Sequence, residues 1–226
     1  MNKPPRSKIS AVITGATGMV GEGIVHECLM HNDVENVLLL SRKPSGIVHP
    51  KLREVLHNDF FNLAAVEQQL VGYNACFFCL GVSSVGMNEQ DYTKMTYTLT
   101  MQVAGTLCRL NAGMVFSYIS GAGTDSTEKG RSMWARVKGK TENDLLKLPF
   151  KKVYAFRPGI IEPTAGLKNT LKLYTYFGWL LPVMRTFFPK YFCTLSELGL
   201  AMINSASLGY EKQVLEVKDI VALSKR

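Results

Sequence analysis

The sequence predicts an α/β chain, a doubly wound parallel sheet followed by a small carboxyl-terminal cap region. Three observations lead there. The apolar run Ile9-Ser10-Ala11-Val12-Ile13 meets three glycines, Gly15, Gly18 and Gly21, and then a helical pattern with Val20, Ile24, Val25, Cys28 and Leu29 on one side. Short β-rich runs then alternate with helix-period stretches along most of the chain. The 226 residues, 46% of them hydrophobic, suffice for one sizeable core.

The glycine stretch reads as strand, phosphate-binding turn and helix. Gly15 lets the chain turn tightly, Gly18 lets backbone approach a pyrophosphate, and Gly21 lets the helix pack close to the strand. The helix start offers unpaired N–H groups to an anion. Val34–Ser41 follows as strand two, with Ser41, Arg42 and Lys43 at its tip. In a dinucleotide fold this tip faces the adenosine ribose, where a carboxylate holds the 2′-hydroxyl of NAD. None stands there. Arg42 instead offers a fork to a 2′-phosphate, with Ser41 adding polar contact, so NADP is expected over NAD.

Residues 50–57 read as strand three, with Asp59 and Phe60 just beyond its tip. Asp59 can accept from an adenine amino group with Phe60 packing beside it, can form an Asx turn before a helix over 63–70, or both. Strand four, Ala75–Leu80, ends in Gly81 and Val82, where Gly81 brings backbone near the nicotinamide side. A long helix spans 87–109, with Tyr92, Met95, Leu99, Val103, Leu107 and Leu110 as its buried face. Strand five, 113–119, delivers Ser120 to the carboxyl edge of the sheet, where ligands of open α/β sheets sit; a turn-capping serine is the plainer alternative. The helix over 132–148 places Trp134 and Lys138 on one side. A lysine on a packed face either snorkels to water or binds ribose hydroxyls.

Strand six, 152–156, exits abruptly through Arg157-Pro158-Gly159-Ile160. Residues 164–192 are rich in aromatics and leucines but broken by Lys168, Lys172, Arg185 and Lys190. They are too charged to span a bilayer. They suit a lid, a dimer face or a peripheral membrane contact through 171–192. Thr194 and Glu197 form a capping box for a helix to Ile203, and a last strand over 213–217 precedes a short helix over 219–223. Residues 1–8 read as a disordered basic lead-in and 9–226 as one domain, with 162–193 as a cap-like insertion.

Formal net charge is +8, but the basic residues are dispersed and no stripe interleaves with aromatics, so no specific nucleic-acid partner is expected. Cys76 and Cys79 have C-x-x-C spacing inside an apolar strand, which suits structural thiols rather than a redox or metal site. No signal-peptide pattern leads the sequence, and a cytoplasmic chain is expected.

Together these stretches resemble the short-chain dehydrogenase/reductase superfamily, in its atypical and extended, epimerase/dehydratase-like members. Thr14-Gly15-Ala16-Thr17-Gly18-Met19-Val20-Gly21 matches that family's T-G-A-T-G-x-x-G loop. The resemblance implies a Rossmann-like fold. It extends the cofactor set to Thr17, Met19, Val20, Leu80, Val82, Pro158 and Ile160. Family members place a serine after strand five and a Y-x-x-x-K pair on the next helix. Here Ser120 and Lys138 match, while Trp134 holds the tyrosine position. An indole N–H donates a hydrogen bond but has no accessible acid or base role. The resemblance therefore implies an NADP-binding oxidoreductase acting on a small molecule, with Ser120, Trp134 and Lys138 at its site and its proton donor unassigned. A non-catalytic NADP-binding interaction protein is the alternative. A nucleotide-sugar epimerase or dehydratase is a further one, with little chain left for a sugar-nucleotide lobe.

Overall fold

The computed structural model describes residues 6–169 and 181–226. Seven parallel strands form one sheet in the order β3-β2-β1-β4-β5-β6-β9. They are β1 (Ile9–Thr14), β2 (Val34–Ser41), β3 (Leu52–Leu56), β4 (Ala75–Phe78), β5 (Val115–Ile119), β6 (Lys152–Arg157) and β9 (Val214–Glu216). Strand order reverses between β1 and β4. Their carboxyl ends diverge there and open a crevice.

The strands alternate between two apolar layers, as a two-residue period requires. Ile9, Ala11 and Ile13 of β1 face a core with helices α1 (Met19–Met30), α6 (Leu195–Ser207) and α7 (Val217–Ser224). Val12, Leu38 and Leu40 face the other core, with α3 (Leu99–Leu110) and Leu145 of α4 (Met133–Leu145). Each fully buried aliphatic side chain contributes about 1.5–3 kcal/mol. The α1–α6 contact is unusually close because each helix offers a glycine. A Cβ on Gly23 would lie 2.3 Å from Leu195 Cδ2, and one on Gly199 2.6 Å from Glu27 Cγ.

Several boundaries differ from expectation. The helix expected over 63–70 is a 3₁₀ segment, Ala64–Leu70. The long helix starts as α2 (Glu89–Thr93), capped by Asn88, whose side chain accepts from the Asp91 N–H. It then passes through a π-helical turn, Lys94–Thr98, before α3. The wider turn rotates the helical register, so Thr96 and Thr100 are buried while Met95 and Leu110 are half-buried. The β4 ladder stops at Phe78 because the Cys79 N–H donates to Thr14 Oγ1, at 3.2 Å. The last helix begins at Val217, where Glu216 and Asp219 form a capping box.

The exit from β6 is a strand rather than an irregular crossing. β7 (Ile160–Glu162) pairs in parallel with β8 (Phe192–Thr194). Helix α5 (Leu181–Phe187) is fastened beside them by Arg185, which lies 3.7 Å from Glu162 and bonds Glu197. The Thr194–Glu197 capping box is present. Arg6, assigned to a disordered lead-in, instead bonds Asp33 and Asn204. Residues 1–5 and most of the aromatic stretch, including Tyr174, Tyr176, Phe177 and Trp179, lie outside the described residues.

Two glycine substitutions separate packing from propensity. A Cβ on Gly21 would fall 2.0 Å from the Gly15 carbonyl oxygen, so Gly21→Ala is expected to cost about 3 kcal/mol or more. Gly105, inside α3, has open space, so Gly105→Ala is expected to stabilise by about 0.5–1 kcal/mol. Urea unfolding of both variants checks the pair.

Candidate functional site

The glycine turn lies at the crevice. Gly15 has φ 73°, and a Cβ there would stand 2.6 Å from the Cys79 carbonyl oxygen, so both conformation and space demand glycine. Gly18 is the N-cap of α1 in extended conformation and lacks a side-chain cap. The N–H groups of Met19, Val20 and Gly21 have no partner among the described residues. Space in front of Gly18 is open, since a Cβ there would meet only the Gly15 carbonyl oxygen, at 3.5 Å. The turn thus presents a row of unpaired donors to solvent, with Thr17 and Gly18 exposed and Met19 and Val20 half-buried.

A cavity of about 410 Å³ begins at this turn and runs along the tips of β1 and β2. Gly15, Thr17, Ser41, Arg42, Phe60 and Leu80 are among its walls. Arg42 and Lys43 are exposed, and neither side chain has a hydrogen bond or ion pair among the described residues. A smaller cavity of about 110 Å³ shares Arg42, Phe60 and Leu80 and adds Phe61, Gly81, Val82 and Met95. The π-helical turn brings Met95 to this wall. Gly81 and Val82 thus line a cavity whose wall they share with Arg42.

Of the readings offered for Asp59 the Asx turn is present, whereas the expected polar contact of Ser41 is turned inward. Asp59 is exposed, and its Oδ1 accepts the Phe61 N–H at 2.9 Å, an Asx turn. Its neighbour Asn58 lines both cavities instead. Ser41 is buried, and its hydroxyl faces Glu54 Oε1 at 3.2 Å and the Lys43 carbonyl at 3.0 Å. Glu54, from the middle of β3, also accepts the Ser45 N–H at 2.9 Å. It thereby ties down the loop that carries Arg42. Only its interruption of an apolar strand signalled it in the sequence.

Beyond β5, Ser120 and Lys138 come together. The Lys138 ammonium donates to the Ser120 carbonyl oxygen. Burial lowers the Lys138 pKa, and the charge of Glu142 opposes that shift. The Ser120 hydroxyl points at the carboxylate of Glu142 and lies 3.1 Å from the Phe156 carbonyl. Glu142, 1% exposed, is gripped by a fork from Arg157, with Nε to Oε1 at 3.0 Å and Nη2 to Oε2. Arg157 also reaches Glu216 at 3.2 Å and Ser126 Oγ. The sequence placed Arg157 only in the exit from strand six and did not single out Glu142. Their opposite charges were the signal, but nothing in one dimension paired them.

Trp134 is half-buried, and its ring edge lies 3.5 Å from where a Cβ on Gly123 would stand. The indole therefore covers the loop that follows Ser120. Tyr118 is 1% exposed, its ring 6.2 Å from that of Phe78 in the core beneath α3 and α4. Burial pushes its phenol far above the usual range, so it is no substitute acid. Pro158 is buried, its carbonyl accepting the Ala122 N–H at 2.8 Å, while Ile160 is exposed. Burial raises the thiols of Cys76 and Cys79, all five cysteines are free, and no metal-binding cluster occurs among the described residues. Nor is any described helix long and apolar enough to cross a membrane.

No family model matches the chain. Among curated proteins it is similar to Protein FMP52-1, mitochondrial, of Scheffersomyces stipitis, 23% identical over 171 residues, 73% of this chain and 74% of that protein. It is also similar to Protein HTATIP2 of Rattus norvegicus, 24% identical over 154 residues, 67% of this chain and 62% of that protein. The match to HTATIP2 thus spans less than two thirds of that relative. Several further relatives carry the same mitochondrial name, which overturns the expectation of a plain cytoplasmic location.

Among solved structures, the Bordetella bronchiseptica enzyme WbmF in complex with NAD+ aligns with TM-score 0.66 and 14% identity, over 97% of this chain and 77% of that one. L-sorbose reductase of Gluconobacter frateurii, complexed with NADPH and L-sorbose, aligns with TM-score 0.56 and 13% identity, over 90% and 91%. A short-chain dehydrogenase/reductase of Saccharomyces cerevisiae aligns with TM-score 0.66 and 14% identity, over 96% and 98%. Strand order and these neighbours agree: the chain has a Rossmann-like α/β fold, similar to that of the short-chain dehydrogenase/reductase structures it aligns with.

Proposed function

We propose that the chain binds NADP in the crevice at the carboxyl ends of β1 and β4 and is an oxidoreductase-like protein whose usual tyrosine is replaced by Trp134. One observation carries the cofactor choice. Arg42 stands at the wall of the cavity without a partner among the described residues, and a carboxylate beside the β2 tip, Glu54, is occupied by Ser41 and Ser45. A free guanidinium suits a 2′-phosphate, and a carboxylate engaged by other groups is a poor acceptor for a 2′-hydroxyl. The N–H groups at the start of α1, beside Gly18, receive the pyrophosphate, and Asn58, Phe60 and Met95 lie where the adenosine end is held.

The bound cofactor supplies or accepts hydride. The chain's own residues do the rest. Lys138 holds its charge against the Ser120 carbonyl and offers its remaining donors to ribose hydroxyls. Ser120 donates toward Glu142 in the resting state, so it polarises a substrate oxygen only after its hydroxyl turns away from that carboxylate. Trp134 shapes an apolar wall and orients an oxygen by its N–H, and it supplies no proton. A second reading, NADP binding without turnover, is favoured by that same residue and by the engaged serine.

Gly18→Ala separates fold from ligand, because the added methyl meets only ordinary contact in the protein yet occupies the pyrophosphate's approach. Its melting temperature is expected to stay near the parent's while calorimetry shows dinucleotide affinity lost. Arg42→Ala is expected to weaken NADP by about 1.5–3 kcal/mol, the range for a charged hydrogen bond, with a much smaller effect on NAD. Equal losses would remove the phosphate-reading role. Trp134→Tyr is expected to keep NADPH affinity and to raise or create reduction of a small ketone or aldehyde. That activity should fall as pH rises through the new phenol's ionisation, because only the protonated tyrosine donates. A parent that already reduces carbonyls well, and loses this on Trp134→Tyr, would refute the assignment.

A further inference from the structure

The glycine turn and α1 carry no lysine or arginine between Thr14 and Met30, but they do carry Glu22 and Glu27. A diphosphate seated there meets N–H groups and no fixed positive charge from its own helix. Glu22 lies in the first turn of α1 and is 8% exposed. Four residues after Gly18 and three after Met19, it shares their face of the helix, one turn of about 5.4 Å along. Helical side chains lean toward the amino terminus, so Glu22 sits on the Gly18–Met19 side of its helix while the space directly in front of Gly18 stays open. That carboxylate accepts two backbone N–H groups from the far end of the chain, Lys168 at 2.9 Å and Asn169 at 2.7 Å. Leu167, beside them, packs on the α1 core. The Lys168 side chain is exposed, with no partner among the described residues.

We infer that Glu22 is a clasp that places Lys168 beside the diphosphate, making Lys168 a cofactor-binding residue that supplies the positive charge the glycine turn lacks. The inference rests on the cofactor reading above and adds a contact from outside the amino-terminal half. The backbone N–H of Lys168 is fixed on the carboxylate of Glu22, in the first turn of the helix that offers the anion-accepting N–H groups. The flexible four-carbon stem then carries the ammonium across that turn. Cofactor occupancy and the seating of residues 167–169 are thereby coupled.

The test compares two probes on purified full-length protein by calorimetry: NADPH, and adenosine 2′-monophosphate, which carries the 2′-phosphate but no diphosphate. Lys168→Ala is expected to weaken NADPH about tenfold, as loss of one charge-assisted contact does, and to leave the monophosphate unchanged. Lys168→Arg should retain most of the affinity. Glu22→Gln should weaken NADPH as well, and adding Lys168→Ala to it should cost little more, because one removes what positions the other. If Lys168→Ala binds NADPH like the parent while Gly18→Ala does not, the clasp is only structural and the inference is wrong. Equal weakening of both probes would also overturn it, because the effect would not come from the diphosphate. A parent that binds neither NADPH nor NADP+ overturns the cofactor reading itself, and this inference with it.

Discussion

Helix α1 must begin in contact with the turn that precedes it, and the rest of the crevice follows from that closeness. Gly21 rests on the carbonyl of Gly15, and Gly15 rests on the carbonyl of Cys79. Two missing side chains let strand, turn and helix share one small volume. The helix axis is thereby aimed so that its unpaired N–H groups open onto the switch point between β1 and β4 rather than onto protein. With any larger residue at either place, the helix would lift, and the donors, the Arg42 cavity and the Glu22 contact would lose their common origin.

On the other side of the switch point, order comes from charge. Glu142 is almost fully buried, which is tolerable only because Arg157 grips both of its oxygens and Ser120 donates to it. This cluster fixes the end of β5, the middle of α4 and the end of β6 in one arrangement, and it sets where Trp134 and Lys138 stand. The same cluster restrains the serine. Its hydroxyl is directed to a carboxylate behind the crevice rather than into it. On the proposed reading, the engaged serine and the indole of Trp134 both weigh on the acid–base half of the site and leave its cofactor half untouched.

Much of the fold was legible in one dimension because it rests on local periodicity. β1, β2, β5 and β6 are apolar runs buried on both faces, and the glycine spacing marks the turn before α1. The Thr194–Glu197 box was readable because its partners are three residues apart. What escaped depends on pairing across the chain or on backbone geometry. The π-helical turn at Lys94–Thr98 has no compositional mark; the expected face, Tyr92, Leu99, Val103 and Leu107, is buried, but the burial of Thr96 and Thr100 beside it was not foreseen. The Asx turn at Asp59 was readable from its local sequence, whereas Asn58 at the cavity wall was not. Glu54, Glu142 and Glu22 each sit in otherwise unremarkable segments, and their partners lie 13, 15 and 146 residues away. The mitochondrial names of the relatives concern address rather than fold, and no feature of the core carried that information.

The tight α1–α6 contact has a consequence for how the molecule is made. Gly23 and Gly199 bring the first helix against one built from residues 195–207, so the layer covering that face of β1 is completed only late in synthesis. Until those residues emerge, Ile24 and Val25 have no neighbour on that side, and an apolar surface in the middle of the sheet stays open to solvent. The opposite layer, supplied by residues up to about Leu145, can be complete much earlier. A growing chain therefore passes through a half-covered state, with one finished face and one sticky one, whose lifetime is governed by translation speed.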